Sequence, residues 1–147
     1  MSKIYLIYTG LTDKTEGNLS VVNGTDMFRS NQNIISFTSD MPILTIGTSM
    51  FNGCSNLTSF NSDLSSLTNG SSMFGSSSYG CSPLDLASVQ NIAETINDLA
   101  SKGLTGTIHI GMSKTLQSDD ETAPVNVALA AIRAKGWTVN EIFHYNK

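Results

Sequence analysis

Two histidines, two cysteines and a sparse set of carboxylates are the residues of this chain whose types could carry acid-base, nucleophilic or metal chemistry. His109 alternates with Ile108 and Ile110, so on a strand it projects to the face opposite theirs, which places it on an open surface beside Asp85. A hydrolase would be built from Asp85 and His109 with Asp119 or Asp120, because an acid-base pair must meet through a hydrogen bond or one water. A lone imidazole with no carboxylate or nucleophile at a fixed spacing is more often structural, and His144, near the tail, has less claim still. Cys54 and Cys81 are too few for a disulfide framework and are read as thiols; a Cys-His nucleophile would require Cys81 close to His109.

Two further constellations fall short of their chemistry. Gly106 and Gly111 followed by Lys114 and Thr115 imitate a phosphate loop, but two extra residues separate Gly111 from Lys114, so a turn after a strand is expected. The acidic run Ser118-Asp119-Asp120-Glu121 lacks the Asp-x-Asp spacing of a cation loop and suits the start of a helix, where it complements the dipole. No metal site, no cofactor and no catalytic residue is therefore expected.

The elements that must position these residues are announced by a period. Met-Phe recurs at 27–28, 50–51 and 73–74, a spacing of 23 each time, and Asn33/Asn56, Ile34/Leu57, Ser36/Ser59, Phe37/Phe60, Ser39/Ser62, Leu44/Leu67 and Gly47/Gly70 keep the same register. Gly53-Cys54-Ser55-Asn56-Leu57 returns 27 residues later as Gly80-Cys81-Ser82-Pro83-Leu84, so four residues are inserted at Ser76-Ser77-Ser78-Tyr79, a polar stretch fit for a surface loop. A weaker first copy starts near Asn18 and serves as a cap. Shared register makes Cys54, Cys81 and the Met-Phe pairs core residues, with Leu64 and Leu67 also inside.

A period of this length fits leucine-rich repeats, one short strand per repeat. The strand is expected at 57–62, with Leu57 and Phe60 inward, and Asn23-Gly24, Asn52-Gly53 and Asn69-Gly70 are expected to supply turns with positive φ. The pattern Met50-Phe51-x-x-Cys54-x-x-Leu57-x-x-Phe60 resembles the BspA-like leucine-rich repeats of bacterial surface proteins and some bacteriophage proteins, over roughly residues 17–90. The resemblance implies either an exported surface protein or a virion component.

Past the repeats the pattern turns to helix and strand. A helix over 88–102 capped by Ser88, a strand at 106–110, a helix over 122–135 with Pro124 in its first turn, and a strand at 137–143 are predicted. Since 107 − 84 = 23, Thr107 is expected one repeat beyond Leu84. The expected fold is α/β: a short right-handed leucine-rich-repeat solenoid of period 23 with parallel strands and a C-terminal helix-strand-helix-strand cap. Residues 1–147 form one domain, with a cap and partial repeat at 1–25, BspA-like repeats at 26–87 and the α/β cap at 88–147.

Composition narrows the function. Only 14% of residues are charged, against about a quarter in an average soluble protein, and eight scattered Lys and Arg at net charge −4 exclude a nucleic-acid surface. The apolar run near Tyr5 and Tyr8 is too short for a signal peptide or a span, so no membrane insertion is expected, and the chain is placed in a virion or the host cytoplasm, with the cell surface as alternative. That end also looks apolar enough to seek a partner. The expected function is a non-enzymatic interaction or structural module, such as a capsid decoration or fibre-associated phage subunit. Its polar row of Ser36, Thr38, Ser59, Asn61 and Asp85, with His109 nearby, would meet a protein or glycan surface, other virion proteins included. The alternatives are a bacterial adhesin fragment and the hydrolase described above.

Overall fold

The computed structural model describes residues 20–147 as a mixed α/β fold of short parallel strand pairs and two helices, with no closed barrel. The first part of the weak opening copy, and the apolar segment at Tyr5 and Tyr8, lie outside the described residues. Strand β1 (Ser36–Phe37) pairs in parallel with β2 (Ser59–Phe60), Ser36 opposite Ser59 and Phe37 opposite Phe60. The offset is the 23 residues of the sequence period. It recurs in the single parallel pairings Asn23–Ile46 and Ile46–Asn69. Backbone bonds from Thr45 N to Val22 O (2.9 Å), Thr68 N to Thr45 O (2.8 Å) and Thr58 N to Ile35 O (3.0 Å) repeat it again. Position i of one segment therefore lies beside i + 23 of the next. Buried Ser62 donates its hydroxyl to Ser39 O at 2.6 Å across the same step.

The strands are two residues long where six were expected. Leu57 and Phe60 are both buried, three positions apart, and a pleated strand cannot send both to one face. The backbone bends to bury them and pairing is confined to Ser59–Phe60. What fills the interior is a pair of aromatic columns. Phe28, Phe51 and Phe74 stack at 5.4 Å per step, Phe37 and Phe60 at 5.8 Å, and edge contacts of 4.9–5.6 Å interlock the two columns. Each such pair is worth about 0.5–1.5 kcal/mol beyond area burial. Met50, Met73, Leu64 and Leu67 are buried with them, while Met27 is only partly covered.

The Asn-Gly pairs act differently from expectation. Of their three glycines, Gly53 alone has positive φ (83°). Gly24 and Gly70 are instead needed for space, as is Gly47 at the same position of the repeat: a Cβ would lie 2.8 Å from Met50 Sδ at Gly24, 2.9 Å from Met73 Sδ at Gly47 and 2.7 Å from Ile108 Cγ1 at Gly70. The left-handed backbone position belongs to Asp26, Ser49 and Ser72, again 23 apart, each immediately before a Met-Phe pair with φ of 59°, 55° and 54°.

Helix α1 (Leu86–Thr95) starts earlier and ends sooner than predicted. Its N-cap is Asp85, whose carboxylate accepts from Ser88 N at 2.9 Å, and Ser88 sits buried in the first turn. The helix stops because buried Asn97 is tied to the repeats, its backbone N–H donating to Leu64 O (3.1 Å) and its amide to Leu67 O (3.0 Å). A short 3-10 turn, Ala100–Lys102, and Gly103 at φ 71° follow. Strand β3 (Gly106–Met112) then pairs in parallel with β4 (Trp137–Phe143) over its whole length. On β3's other edge Ile108 pairs with Gly70 and Met112 with Leu84, so Met112, not Thr107, is the neighbour of Leu84. Helix α2 (Pro124–Ala134), with Pro at its start and Gly136 (φ 94°) past its end, links β3 to β4 and packs on α1 and β4. One apolar core runs from Val21 through the aromatic columns to Val139. Among the described residues no helix is long and apolar enough to cross a membrane.

Candidate functional site

The six residues expected to form one binding surface occupy three places. Ser36 and Ser59 do stand side by side on β1 and β2, and Asn61 continues the pairing, its N–H donating to Phe37 O at 2.9 Å, with Thr38 one repeat before it. The row ends there. Helix α1 lies against the free edge of β2, where Phe60 N donates to Ser88 Oγ (2.7 Å) and the Asn91 amide to Ser62 O (3.0 Å). Asp85 extends a different column, Ile35–Thr58–Asp85, through its N–H to Thr58 O at 2.9 Å. Its carboxylate is engaged by the helix start, including a 2.6 Å bond from Ser88 Oγ.

His109 is on β3 beside Asn140, and its Nδ1 accepts from Ser72 N at 2.9 Å. Met112, the β3 residue next to Leu84, is three positions on, roughly 10 Å along a strand. The position of His109 beside Asp85 is thereby corrected: the histidine holds a left-handed serine of the third repeat. Partial burial lowers its pKa, which keeps Nδ1 free to accept.

The remaining reactive groups are also held apart. Cys54 and Cys81 are buried free thiols, Cys54 donating to Phe28 O (2.9 Å) and Cys81 to Ile142 O (3.7 Å). Burial pushes both thiols up to about 11. No hydrogen bond joins Cys81 to His109 among the described residues. Asp120 accepts from Thr122 N (2.8 Å) and Oγ1 (2.7 Å), an exposed turn ahead of α2 whose Thr122 hydroxyl lowers the carboxyl pKa. Gly106 and Gly111 both lie within β3, so the phosphate-loop likeness is a strand running into the short turn Lys114–Leu116. Among the described residues no three of His, Cys, Asp and Glu gather as metal ligands would.

One concavity among the described residues joins segments that the sequence did not bring together. A groove of about 650 Å³ opens where the four-residue insertion meets the chain after β4 and the turn after β3; Tyr79, Lys114, Gln117, Glu141, His144 and Tyr145 are in its walls. Backbone bonds set it. Tyr145 N donates to Ser78 O (2.9 Å), His144 N to Met112 O (2.9 Å) and Lys114 N to Lys147 O (2.6 Å). The Lys147 ammonium reaches back to Ser55 O (3.0 Å) and Asn56 Oδ1 (2.8 Å) of the second repeat. Glu141 carries an ion pair with Arg133 at 2.6 Å. His144 stacks beneath Tyr145 at 5.1 Å and is 2% exposed. Its Nδ1 accepts from Asn146 N at 3.3 Å, which assigns the ring proton to Nε2, and that buried N–H has no partner among the described residues. Burial, then the Lys147 charge, lowers the His144 pKa. A buried donor left unmet costs about 1–3 kcal/mol. The signal in the sequence was an insertion ending in a tyrosine and a second tyrosine in the tail, which only the fold brings together.

No protein-family model, curated protein or solved structure matches the chain.

Proposed function

We propose that this chain is a short leucine-rich-repeat solenoid of the BspA-like kind that works as a non-catalytic interaction module, and that it belongs to a bacteriophage virion as a decoration or fibre-associated subunit. The observation that carries the reading is the 23-residue offset of the parallel backbone bonds, from Val22 through Thr45 to Thr68. A stack of this kind places equivalent side chains at regular steps on a stiff support, which suits recognition of an extended partner. The uncharged polar pair Ser59 and Asn61, beside Ser36, gives that support a surface for hydrogen bonding.

The test is where the protein resides and what Ser59 and Asn61 do there. Purified virions are expected to contain the chain, and a Ser59→Lys, Asn61→Lys variant to be incorporated at a reduced level. Wild-type chain found in cell envelopes and missing from virions would overturn the virion reading. Undiminished incorporation of the double variant would overturn the assignment of the strand face.

A further inference from the structure

Among the described residues the phenylalanines and the tryptophan are buried or partly buried, and the two exposed aromatic rings, Tyr79 and Tyr145, stand together. Tyr79 is 74% exposed and Tyr145 50%, with centroids 4.7 Å apart at 40°. At that separation the two rings lie against each other, and Tyr79, the more exposed, is left as the open aromatic surface. Long polar side chains stand in the same walls: the Lys114 ammonium, the Gln117 amide and the Glu141 carboxylate, the last already neutralised by Arg133. Donors and acceptors are thus offered with little net charge. Beside Tyr145 the buried Nε2–H of His144 is a donor with no acceptor among the described residues.

We propose that this groove is a carbohydrate site that takes a neutral oligosaccharide. The apolar C–H face of a pyranose ring stacks on Tyr79, which Tyr145 backs, while its hydroxyls, each both donor and acceptor, meet Gln117, Lys114 and Glu141. A cation finds the Glu141 carboxylate already paired with Arg133, and an anion finds a single lysine, Lys114, in the walls. The groove volume lies in the ~300–1,000 Å³ range of small-ligand sites. The proposal rests on reading the chain as a binding module, and it locates a site away from the Ser36–Ser59 strand face.

The experiment is an amide chemical-shift titration of the full chain with cellohexaose, maltohexaose, chitohexaose and mannohexaose at millimolar concentration. At least one is expected to give saturable shifts on residues 76–79, 114–117 and 143–146. Tyr79→Ala and Tyr145→Ala, and separately Gln117→Ala should one of them misfold, are expected to weaken binding roughly tenfold with the circular dichroism spectrum retained. Saturable shifts on Ser36, Ser59 and Asn61 instead would overturn the groove assignment and leave the binding-module reading standing. Absence of saturable shifts with all four sugars would overturn the carbohydrate proposal, whereas virion incorporation tests the module reading by itself.

Discussion

The ring of Tyr145 rests against that of Tyr79, centroids 4.7 Å apart, and the Tyr145 N–H donates to the carbonyl of the preceding Ser78. An insertion in the third repeat is thereby clasped by the chain after β4, and a loop of exposed serines acquires a fixed outline. The aromatic contact is worth about 1 kcal/mol. Tyr145→Ala is expected to cost about that in unfolding free energy, and to speed amide hydrogen exchange at residues 76–80 without affecting the aromatic columns. Exchange unchanged at 76–80 would mean that the backbone bond alone holds the loop.

The glycines rank themselves by what a methyl group would meet. At Gly47 the obstacle is Met73 Sδ, the mobile end of a flexible side chain, so Gly47→Ala is expected to cost about 1–3 kcal/mol. At Gly70 the atoms are Cγ1 and Cβ of Ile108, stiffer and locked in β3, and the cost is greater. At Gly111 a Cβ would lie 2.5 Å from Phe74 O and close to Ser82 O, both backbone, and Gly111→Ala should lose more than about 4 kcal/mol or fail to fold. Urea unfolding of the three variants checks the order, and Gly111→Ala as stable as Gly47→Ala would contradict it.

These close approaches explain why some of the fold was legible in the residues and some was not. The Met-Phe pairs, Leu64 and Leu67 announce themselves because a repeated position is repeatedly buried, and the 23-residue step reappears as backbone bonds from Thr45 to Val22 and from Thr68 to Thr45. Helix α2 and strand β4 are legible for local reasons, Pro124 at one end and Gly136 between them. Gly24 and Gly70 read as turn residues because the methionine or isoleucine that needs the space comes from another segment. Asp85 was placed in a polar row because its role depends on where α1 begins, and His109 because its partner, Ser72 N, is 37 residues away. The groove was not legible, since its two tyrosines are joined only by tertiary contact.

Acid should destabilise the protein through its histidines. His109 and His144 both have folded pKa values below the ordinary 6.5, so the unfolded chain binds more protons as pH falls past that value. The stability they contribute is full above the unfolded pKa and declines as pH falls from it toward the folded ones. At His109 the loss has a structural reading, because a protonated Nδ1 cannot accept from Ser72 N. The oxygen of an asparagine can replace Nδ1, so His109→Asn is expected to keep the melting temperature at pH 7.5 and flatten its fall toward pH 5.5. His109→Ala should lower it at both pH values. A wild-type melting temperature independent of pH across that window would refute the assignment.

The cysteines give the opposite dependence. With Cys54 and Cys81 held protonated until about 11, the unfolded chain loses thiol protons first as pH rises above the ordinary value of 9.0, and their contribution to stability is lost between there and about 11. Both should resist a thiol-specific disulfide reagent at pH 8 in the native protein and react fully in denaturant. Rapid labelling of one equivalent in native conditions would place that cysteine at a surface the fold does not give it.

Asp85 distinguishes a structural carboxylate from a binding one. Its Oδ1 accepts from both Ser88 N and Ser88 Oγ, and Ser88 Oγ in turn receives the N–H of Phe60, so the cap of α1 is wired into the edge of β2. Removing an N-cap acceptor costs about 1 kcal/mol, and here the loss also loosens a hydroxyl on which a buried N–H depends. Asp85→Ala is expected to lower stability by about 1–2 kcal/mol, and Asp85→Asn or Asp85→Ser, both good caps, to recover most of it. Ser88→Ala strands the Phe60 N–H and should cost about as much or more. If Asp85→Ala left stability unchanged while abolishing an interaction, the carboxylate would belong to a recognition surface after all, and the polar row would extend across the start of α1.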